Sequence, residues 1–188
     1  MAKNSILYGS LLLVALCLRS LSGGPVVAQP NRTQRTDQQS LDFRTSLVAI
    51  YTAELGVRET TGHNDGARVE QYLHYVGLPK GYEWCAAFVS WCYGQAGRAV
   101  PRNAWGPALF PAARTVWVRG SKPSGLPLAG DVFGIWHSGK QRISHVGFVQ
   151  QWAPPYLITV EGNSNHAVEC RRRLVSTIYK VANWVTLP

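Results

Sequence analysis

The sequence predicts an α+β fold, with helices in the first part of the chain and an antiparallel sheet in the second. Apolar residues recur at helical spacing up to about residue 97, whereas from residue 131 they form short runs separated by turn residues. The chain has 188 residues, of which 46% are hydrophobic, and this is enough for one domain with its own core. We therefore expect the helices and the sheet to pack together in one unit.

Three helices are predicted before residue 100. The third is apolar on nearly every side, which predicts that it is buried all round. A further short helix is predicted within residues 109–118. The predicted spans, with their start and stop signals, are 41–55 (cap Asp37 or Ser40, stop Gly56), about 69–76 (cap Asn64 or Asp65, stop Gly77) and 83–93 (stop near Gly97).

Five strands are predicted after Gly130. The first two are joined by a hairpin turn at residues 138–142, and the last two are expected to pair with each other. The predicted strands are residues 131–136, 143–151, 156–161, 168–175 and 178–185.

The N-terminus has the pattern of an export signal. Lys3 gives a positive start, about 13 apolar residues follow from residue 6 to 18, and Ala28 ends a stretch of small residues suited to cleavage. The apolar run is shorter than the ~20 residues that a membrane-spanning helix needs. We therefore predict a signal peptide over residues 1–28 and export, with an uncleaved anchor as the alternative. The polar residues 29–40 are predicted to be a flexible linker.

The chain is basic, with a formal charge of +9 at pH 7. Removal of residues 1–28 would take away Lys3 and Arg19 and no acid, leaving +7. Basic proteins are attracted to anionic polymers such as nucleic acid or a bacterial wall, although charge can also serve solubility alone. Because export argues against nucleic acid, we expect a cell-wall partner, no nucleic acid, and no stable membrane insertion once the signal is removed.

The cysteine count points to an unpaired thiol. Of four cysteines, Cys17 lies in the predicted signal, so Cys85, Cys92 and Cys170 remain in the exported chain. An odd number leaves at least one thiol free. Cys85 and Cys92 lie ~10 Å apart along a helix and cannot bond each other, whereas a Cys92–Cys170 disulfide would leave Cys85 free. No Cys/His pattern has the spacing of a metal site, so neither metal nor cofactor is predicted.

Cys85 lies in the first turn of the third predicted helix. The positive end of the helix dipole favours a thiolate there, which suits a nucleophile. The alternative is a small, inert core residue, because free cysteine is often buried.

His145 is the histidine best placed to act as the base that a cysteine nucleophile requires. It starts an apolar strand, which provides a rigid mount at the rim of a sheet. Glu161 and Asn163 end the next strand and, being two residues apart, point to one face, so either can orient the imidazole. The alternatives are a surface or core histidine and a strand-end acid that faces solvent.

Four motifs in this order resemble the CHAP family, the cysteine, histidine-dependent amidohydrolases and peptidases of the papain-like NlpC/P60 superfamily. The resemblance covers about residues 41–185 and implies a papain-like fold in which the nucleophile helix packs on the C-terminal antiparallel sheet. It also implies hydrolysis of amide bonds in peptidoglycan. The motifs are residues 84–89 (WCAAFV), 130–131 (GD), 145–149 (HVGFV) and 161–163 (EGN).

The resemblance also implies roles for individual residues. Cys85 would be the nucleophile, His145 the general base and then acid, and Glu161 the group that orients His145. Asn163 would be an auxiliary polar group. The backbone N–H of Cys85 and the side chain of Tyr82 are the candidate oxyanion donors. The catalytic domain would span residues 41–188, and we expect a monomer.

Three other features have no assigned role, and the first two allow two interpretations each. The run Arg171-Arg172-Arg173 could grip an anionic wall or form a solvated face. The side chains of Trp105, Trp136 and Trp152 could line a sugar-binding groove or serve as packing. Glu59, Asn64 and Asp65 lie in a loop that could flank the cleft, but the sequence offers no mechanism for them.

The function that these observations predict is an exported cysteine hydrolase that cleaves amide bonds in peptidoglycan. The alternatives are a non-catalytic wall-binding protein with the same fold, a toxin-like hydrolase delivered to rival cells, and a nucleic-acid binder. The sequence does not specify whether the bond cut is that of an amidase or of an endopeptidase.

Overall fold

A computed structural model describes residues 31–186 and contains, within that range, three α-helices and one six-stranded sheet. The strands run antiparallel in the order β1-β6-β2-β3-β4-β5. The predicted α+β class, with helices before an antiparallel sheet, is therefore confirmed. The elements are α1 (Arg32–Ala53), α2 (Ala67–Tyr75), α3 (Cys85–Gln95), β1 (Thr115–Val118), β2 (Val132–His137), β3 (Arg142–Ala153), β4 (Tyr156–Ser164), β5 (Ala167–Leu174) and β6 (Lys180–Ala182).

The first helix begins earlier than predicted. The cap is Asn31 rather than Asp37 or Ser40: its side chain accepts from the backbone N–H of Gln34, whose side chain accepts from the N–H of Asn31 in return. This reciprocal capping box satisfies two backbone donors of the first turn and stabilises the helix start. From Arg32 onward the predicted linker is helical, and residues 32–39 are exposed.

The second helix begins at a different cap from the one predicted. Gly66 occupies the N-cap position and provides no side-chain hydrogen bond. The carboxylate of Asp65 instead accepts from the backbone N–H of Thr61 at 2.9 Å and from its hydroxyl at 2.8 Å. These bonds close the preceding loop, so Asp65 stabilises a turn rather than the helix.

The segment before the sheet is not the predicted short helix. Two 3-10 helices, Gly106–Leu109 and Ala112–Arg114, lead into β1. The predicted pairing of the last two strands is also wrong, because β5 pairs with β4 while β6 lies between β1 and β2. A 3-10 turn at Val175–Thr177 separates β5, at one edge of the sheet, from β6, which lies inside the sheet next to the other edge strand, β1.

Helix α3 lies at the centre of the core, as its apolar sequence predicts. Its first nine residues, from Cys85 to Tyr93, are all buried. The ring of Phe88 meets that of Phe148 on β3 edge to face, with centroids 5.9 Å apart. Tyr93 donates to the carbonyl of Gly130 at 2.8 Å, which ties the helix to the start of β2. The helix is thus fixed against the sheet over most of its length.

Two motif glycines allow this close packing. A Cβ at Gly162 would lie 2.7 Å from the Cβ of Phe88 and 2.8 Å from the ring of Trp84, so only glycine lets β4 approach α3. A Cβ at Gly147 would lie 2.9 Å from the carbonyl oxygen of Val160 and 3.0 Å from Cγ of Glu161. Both glycines therefore determine how closely the helix and the neighbouring strands surround residue 161.

The predicted signal peptide and Cys17 lie outside the described residues, so the cleavage site and the domain limits stay predictions. Between residues 31 and 186, no helix has the combination of length and apolar character that a membrane crossing requires.

Candidate active site

Cys85 lies in the first turn of α3, as the sequence predicts, although the helix begins at this residue rather than at residue 83. Of its surface, 7% is exposed. The residue before it, Trp84, is the N-cap and is fully buried. The indole N–H of Trp84 donates to Oε1 of Glu59 at 2.8 Å. The thiol therefore lies at a helix N-terminus whose position is fixed by a buried hydrogen bond, in a place where the dipole favours negative charge.

Glu59 anchors the start of this helix, a role that sequence reasoning missed. Its buried carboxylate also accepts from the backbone N–H of Asn64 at 2.9 Å and interacts with Nδ1 of His166 at 3.0 Å. Burial would raise the pKa of Glu59, but these partners, with Trp84, outweigh burial and lower it. The loop before α2 and the turn between β4 and β5 are thus joined at one carboxylate beneath Trp84.

His145 lies on β3 next to a β-bulge. Ile135 pairs with His145 and Trp136 pairs with Ile143, so β3 carries one extra residue, Ser144, immediately before the histidine. A bulge re-aims the neighbouring side chain relative to a regular strand. Here Nε2 of His145 lies 2.7 Å from Oε2 of Glu161. Nδ1 is consequently the ring nitrogen left for the thiol of Cys85, with which His145 interacts.

Glu161 is fully buried and is surrounded by donors. Arg173 binds it in bidentate fashion, with Nε to Oε1 at 2.5 Å and Nη2 to Oε2 at 2.6 Å. The hydroxyl of Thr159 donates to Oε1 at 2.5 Å. Together with His145 these contacts fix both carboxylate oxygens, which is how a buried carboxylate can remain charged.

The electrostatics of His145 and Glu161 favour a charged imidazolium beside a carboxylate. Burial would lower the pKa of His145, but the side chains of Cys85 and Glu161 outweigh burial and raise it to about 9. Burial would raise the pKa of Glu161, but Arg173, His145 and Thr159 outweigh burial and lower it to about 2. Between these two values the histidine is protonated and the glutamate is ionised.

The three consecutive arginines of β5 have three different environments. Arg173 binds the buried Glu161, Arg171 binds Glu169 at 2.9 Å near the surface, and Arg172 stacks 3.5 Å over the ring of Tyr156. The interpretation of the run as one solvated face or one wall-binding grip therefore does not hold for Arg173. The strand period of two, which puts residues 171 and 173 on one face and residue 172 on the other, is the signal that would have separated them.

The remaining predicted site residues lie near this group but are not hydrogen-bonded to it within the described range. Asn163 has a left-handed backbone, with φ of 57°, beside a register shift between Glu161 and Ser164. This interrupts the alternation that would have put residues 161 and 163 on one face. The side chain of Tyr82 is 53% exposed and lies at the rim of the cavity that contains Cys85.

The cysteines differ sharply in environment. All three in the described part of the chain are free, so the alternative of a Cys92–Cys170 disulfide is not observed. Cys92 is fully buried two turns below Cys85, and burial raises the pKa of its thiol well above the usual value. Cys170 is exposed on β5. Of the three thiols, that of Cys85 lies beside a histidine in an open cavity.

That cavity has a volume of about 330 Å³ and is bounded by the loop before α3, the loop before the 3-10 helix at residue 106, and the start of β3. Trp105 lies on its wall, 52% exposed, whereas Trp136 packs against Tyr179 and Trp152 against Trp117. A larger cavity of about 560 Å³ lies between α2 and α3, and Cys85 is not among its lining residues. We place the candidate site in the smaller cavity because it contains the thiol.

The resemblance to the CHAP family is confirmed by comparison with known families. The family model of the CHAP domain matches residues 77–163, which include Cys85, His145 and Glu161. A comparison with curated protein sequences finds no significant match.

Solved structures similar to this chain include three domains of the NlpC/P60 type. One is the P60 domain of an antigen from M. avium paratuberculosis, with 12% identity, a TM-score of 0.45, and coverage of 78% of this chain and 96% of that one. A mutated form of the resuscitation promoting factor interacting protein RipA has 11% identity, a TM-score of 0.48, and coverage of 86% and 68%. NlpC1 from Trichomonas vaginalis has 12% identity, a TM-score of 0.43, and coverage of 76% and 44%.

Proposed function

We propose that the protein is an exported cysteine hydrolase that cleaves amide bonds in bacterial peptidoglycan. The observation that carries the proposal is the 2.7 Å contact between Nε2 of His145 and the buried Glu161, together with the effect of the Cys85 side chain in raising the pKa of His145. The apolar run near the N-terminus supports export, and the formal charge, +9 for the whole chain and +7 without residues 1–28, suits an anionic wall.

In the proposed acylation step, Nδ1 of His145 already holds the proton of Cys85, so the pair starts as a thiolate beside a protonated histidine. The thiolate sulfur attacks the carbonyl carbon of a wall amide and forms a C–S bond. The imidazolium is held at Nε2 by Glu161, which keeps the ring oriented and stabilises its charge. Nδ1 then donates its proton to the leaving nitrogen as the C–N bond breaks, which leaves a thioester on Cys85.

The negative oxygen of the tetrahedral intermediate requires donors that are already in place. The backbone N–H of Cys85 lies in the first turn of α3, where amide donors have no partner within the helix. Tyr82, at the rim of the same cavity, is the side chain proposed as second donor. Removing one such donor typically costs about 3–4 kcal/mol of transition-state stabilisation.

The proposed deacylation step reverses the proton transfers. His145, neutral after the amine leaves, takes a proton from a water molecule that attacks the thioester carbon. The C–S bond breaks, the product leaves with a new carboxyl group, and Cys85 is left as a thiolate beside the protonated His145. The asparagine at position 163 is proposed as an auxiliary polar group at the histidine rather than a participant in either transfer.

Digestion of purified sacculi tests this function. Wild type should release soluble fragments, and their masses identify the bond that is cut. Cys85→Ala should release none, and His145→Ala should be at least about a hundredfold slower. Cys170→Ala is the matched control, because it removes an exposed thiol away from the site and should leave the rate unchanged.

Equal release by wild type and Cys85→Ala would end the catalytic claim. Tight binding to sacculi without release, unchanged by Cys85→Ala, would instead identify the alternative, a non-catalytic wall-binding protein.

A further inference from the structure

The wall of the Cys85 cavity carries a stacked arginine–tryptophan pair that the proposed chemistry does not use. The guanidinium of Arg142 lies 4.3 Å from the centroid of the Trp105 ring. Both residues line the cavity together with Cys85, and Trp105 is 52% exposed. An exposed aromatic ring that carries a flat cation beside a candidate nucleophile is a surface suited to ligand contact.

The pair is fixed in place by elements that also carry the site. The side chain of Asn103 accepts from the backbone N–H of Trp105 at 2.8 Å. The hydroxyl of Ser90 donates to the backbone carbonyl of Asn103 at 2.9 Å and accepts from its backbone N–H at 3.0 Å. Ser90 lies fully buried on α3. Arg142 starts β3, three residues before His145. The ring and the cation are therefore positioned by the helix of Cys85 and the strand of His145.

The cation lacks an acidic partner. Within residues 31–186 no ion pair involves Arg142, and its one side-chain hydrogen bond goes to the carbonyl of Ile143 at a long 3.4 Å. The acid that lines the same cavity, Glu83, lies 3.8 Å from the ammonium of Lys140 instead. The guanidinium of Arg142 therefore has planar hydrogen-bond donors but no carboxylate that accepts from them. The acid in this cavity, Glu83, lies next to Lys140 instead.

We propose that Arg142 and Trp105 form a subsite that binds a free carboxylate of the wall peptide next to the scissile amide. A guanidinium pairs with a carboxylate through two parallel hydrogen bonds, and the ring beneath restricts the guanidinium to one plane. The exposed part of the Trp105 ring then covers the apolar part of the same peptide residue. This inference rests on the proposed function and adds a substrate preference: peptides with an ionised carboxyl at this position over those in which it is amidated.

A matched pair of wall peptides, one with the free carboxylate and one with the corresponding amide, tests the subsite. Wild type should cleave the carboxylate peptide with a kcat/KM at least about tenfold higher, because hydrogen bonds to charged groups are the stronger ones. Arg142→Gln should lose about tenfold to a hundredfold on the carboxylate peptide and less than threefold on the amide. Arg142→Lys, which keeps the charge without the planar fork, should retain part of the preference.

Arg172→Gln is the control, since Arg172 also stacks on an aromatic ring, that of Tyr156, but does not line this cavity. It should leave both substrates unaffected. Thermal unfolding of each variant separates loss of the subsite from loss of the fold. Equal losses of Arg142→Gln on the two peptides, or equal cleavage of both by wild type, would overturn the proposal.

Binding to the Cys85→Ala protein separates this inference from the proposed function. Titration with the two peptides, followed by tryptophan fluorescence, should show tighter binding of the carboxylate peptide and loss of that difference on Arg142→Gln. That result would stand even if wild type cleaved neither peptide, in which case only the proposed function would fail. Binding that depends on Trp105 and on attached sugar but not on Arg142 would contradict the carboxylate subsite and indicate a glycan contact.

Discussion

Replacement of Arg173 by methionine removes the two hydrogen bonds, of 2.5 and 2.6 Å, that hold the carboxylate of Glu161. Among the groups that lower the pKa of Glu161 to about 2, Arg173 has the largest effect. An arginine beside a carboxylate typically accounts for about 1–3 pKa units, which corresponds to about 1–4 kcal/mol. We therefore expect the variant to unfold at a temperature several degrees lower at neutral pH.

The sign of the pH effect follows from the direction of the shift. Glu161, whose pKa is lowered on folding, stabilises the folded protein above pH ~4.5, and this contribution is lost as the pH falls towards 2. In Arg173→Met the pKa of Glu161 rises, so the carboxylate is lost at a higher pH. Because only the ionised carboxylate can hold the imidazolium of His145, the variant should lose kcat/KM at pH 5 relative to pH 7 more strongly than wild type.

The assay is the ratio of kcat/KM at pH 5 to that at pH 7, with thermal unfolding measured on the same samples. Arg171→Met is the matched control, because Arg171 pairs with Glu169 near the surface and should change neither quantity appreciably. Arg173→Lys, which keeps the charge, should restore part of the ratio. A folded Arg173→Met protein with the pH ratio of wild type would refute the view that Arg173 positions Glu161.

Two further predictions concern the supports of the nucleophile helix. Glu59→Gln should lower the free energy of unfolding by about 1–3 kcal/mol, because it weakens the buried acceptor of the Trp84 indole. The control is Glu83→Gln at an exposed position, which should change the free energy of unfolding by no more than ~0.5 kcal/mol. Denaturant titration measures both variants. Gly162→Ala should destabilise the folded protein by about 1–3 kcal/mol and slow turnover, because the new Cβ would lie 2.7 Å from the Cβ of Phe88. The control is Gly139→Ala, which should destabilise the protein less, because the nearest atom there is a histidine ring carbon at 3.2 Å. Unchanged stability in Glu59→Gln or Gly162→Ala would show that the contact in question does not hold α3.

Much of this architecture was readable from the sequence because local pattern determines it. The apolar run of α3 and the alternation of β2 to β5 are properties of neighbouring residues. The position of β6 between β1 and β2 cannot be predicted from local pattern, because strand order depends on contacts between residues far apart in the chain. The first turns of α1 were missed because they are exposed and lack apolar periodicity, although Asn31 and Gln34 have the spacing of a capping box.

The residues of the candidate site also differ in whether a local sequence pattern reveals them. Cys85, His145 and Glu161 could be chosen as candidates from the sequence because each stands next to a recognisable apolar run. Arg173 was missed because it acts from β5, beyond the strand of Glu161, and consecutive arginines are usually solvated. Glu59 was missed because its partner, Trp84, is 25 residues away and only the packed structure joins them.

The central claim is that Cys85 is an activated nucleophile paired with His145, and the rate of thiol alkylation tests it most directly. The chain provides two internal references: Cys170, an exposed thiol, and Cys92, a fully buried one. With iodoacetamide at pH 6 and peptide mapping, Cys85 should react about tenfold or more faster than Cys170, and Cys92 should barely react. His145→Ala should reduce the rate at Cys85 to that of Cys170 or below. A Cys85 that reacts no faster than Cys170 between pH 5 and 8, or one indifferent to His145→Ala, would contradict the account.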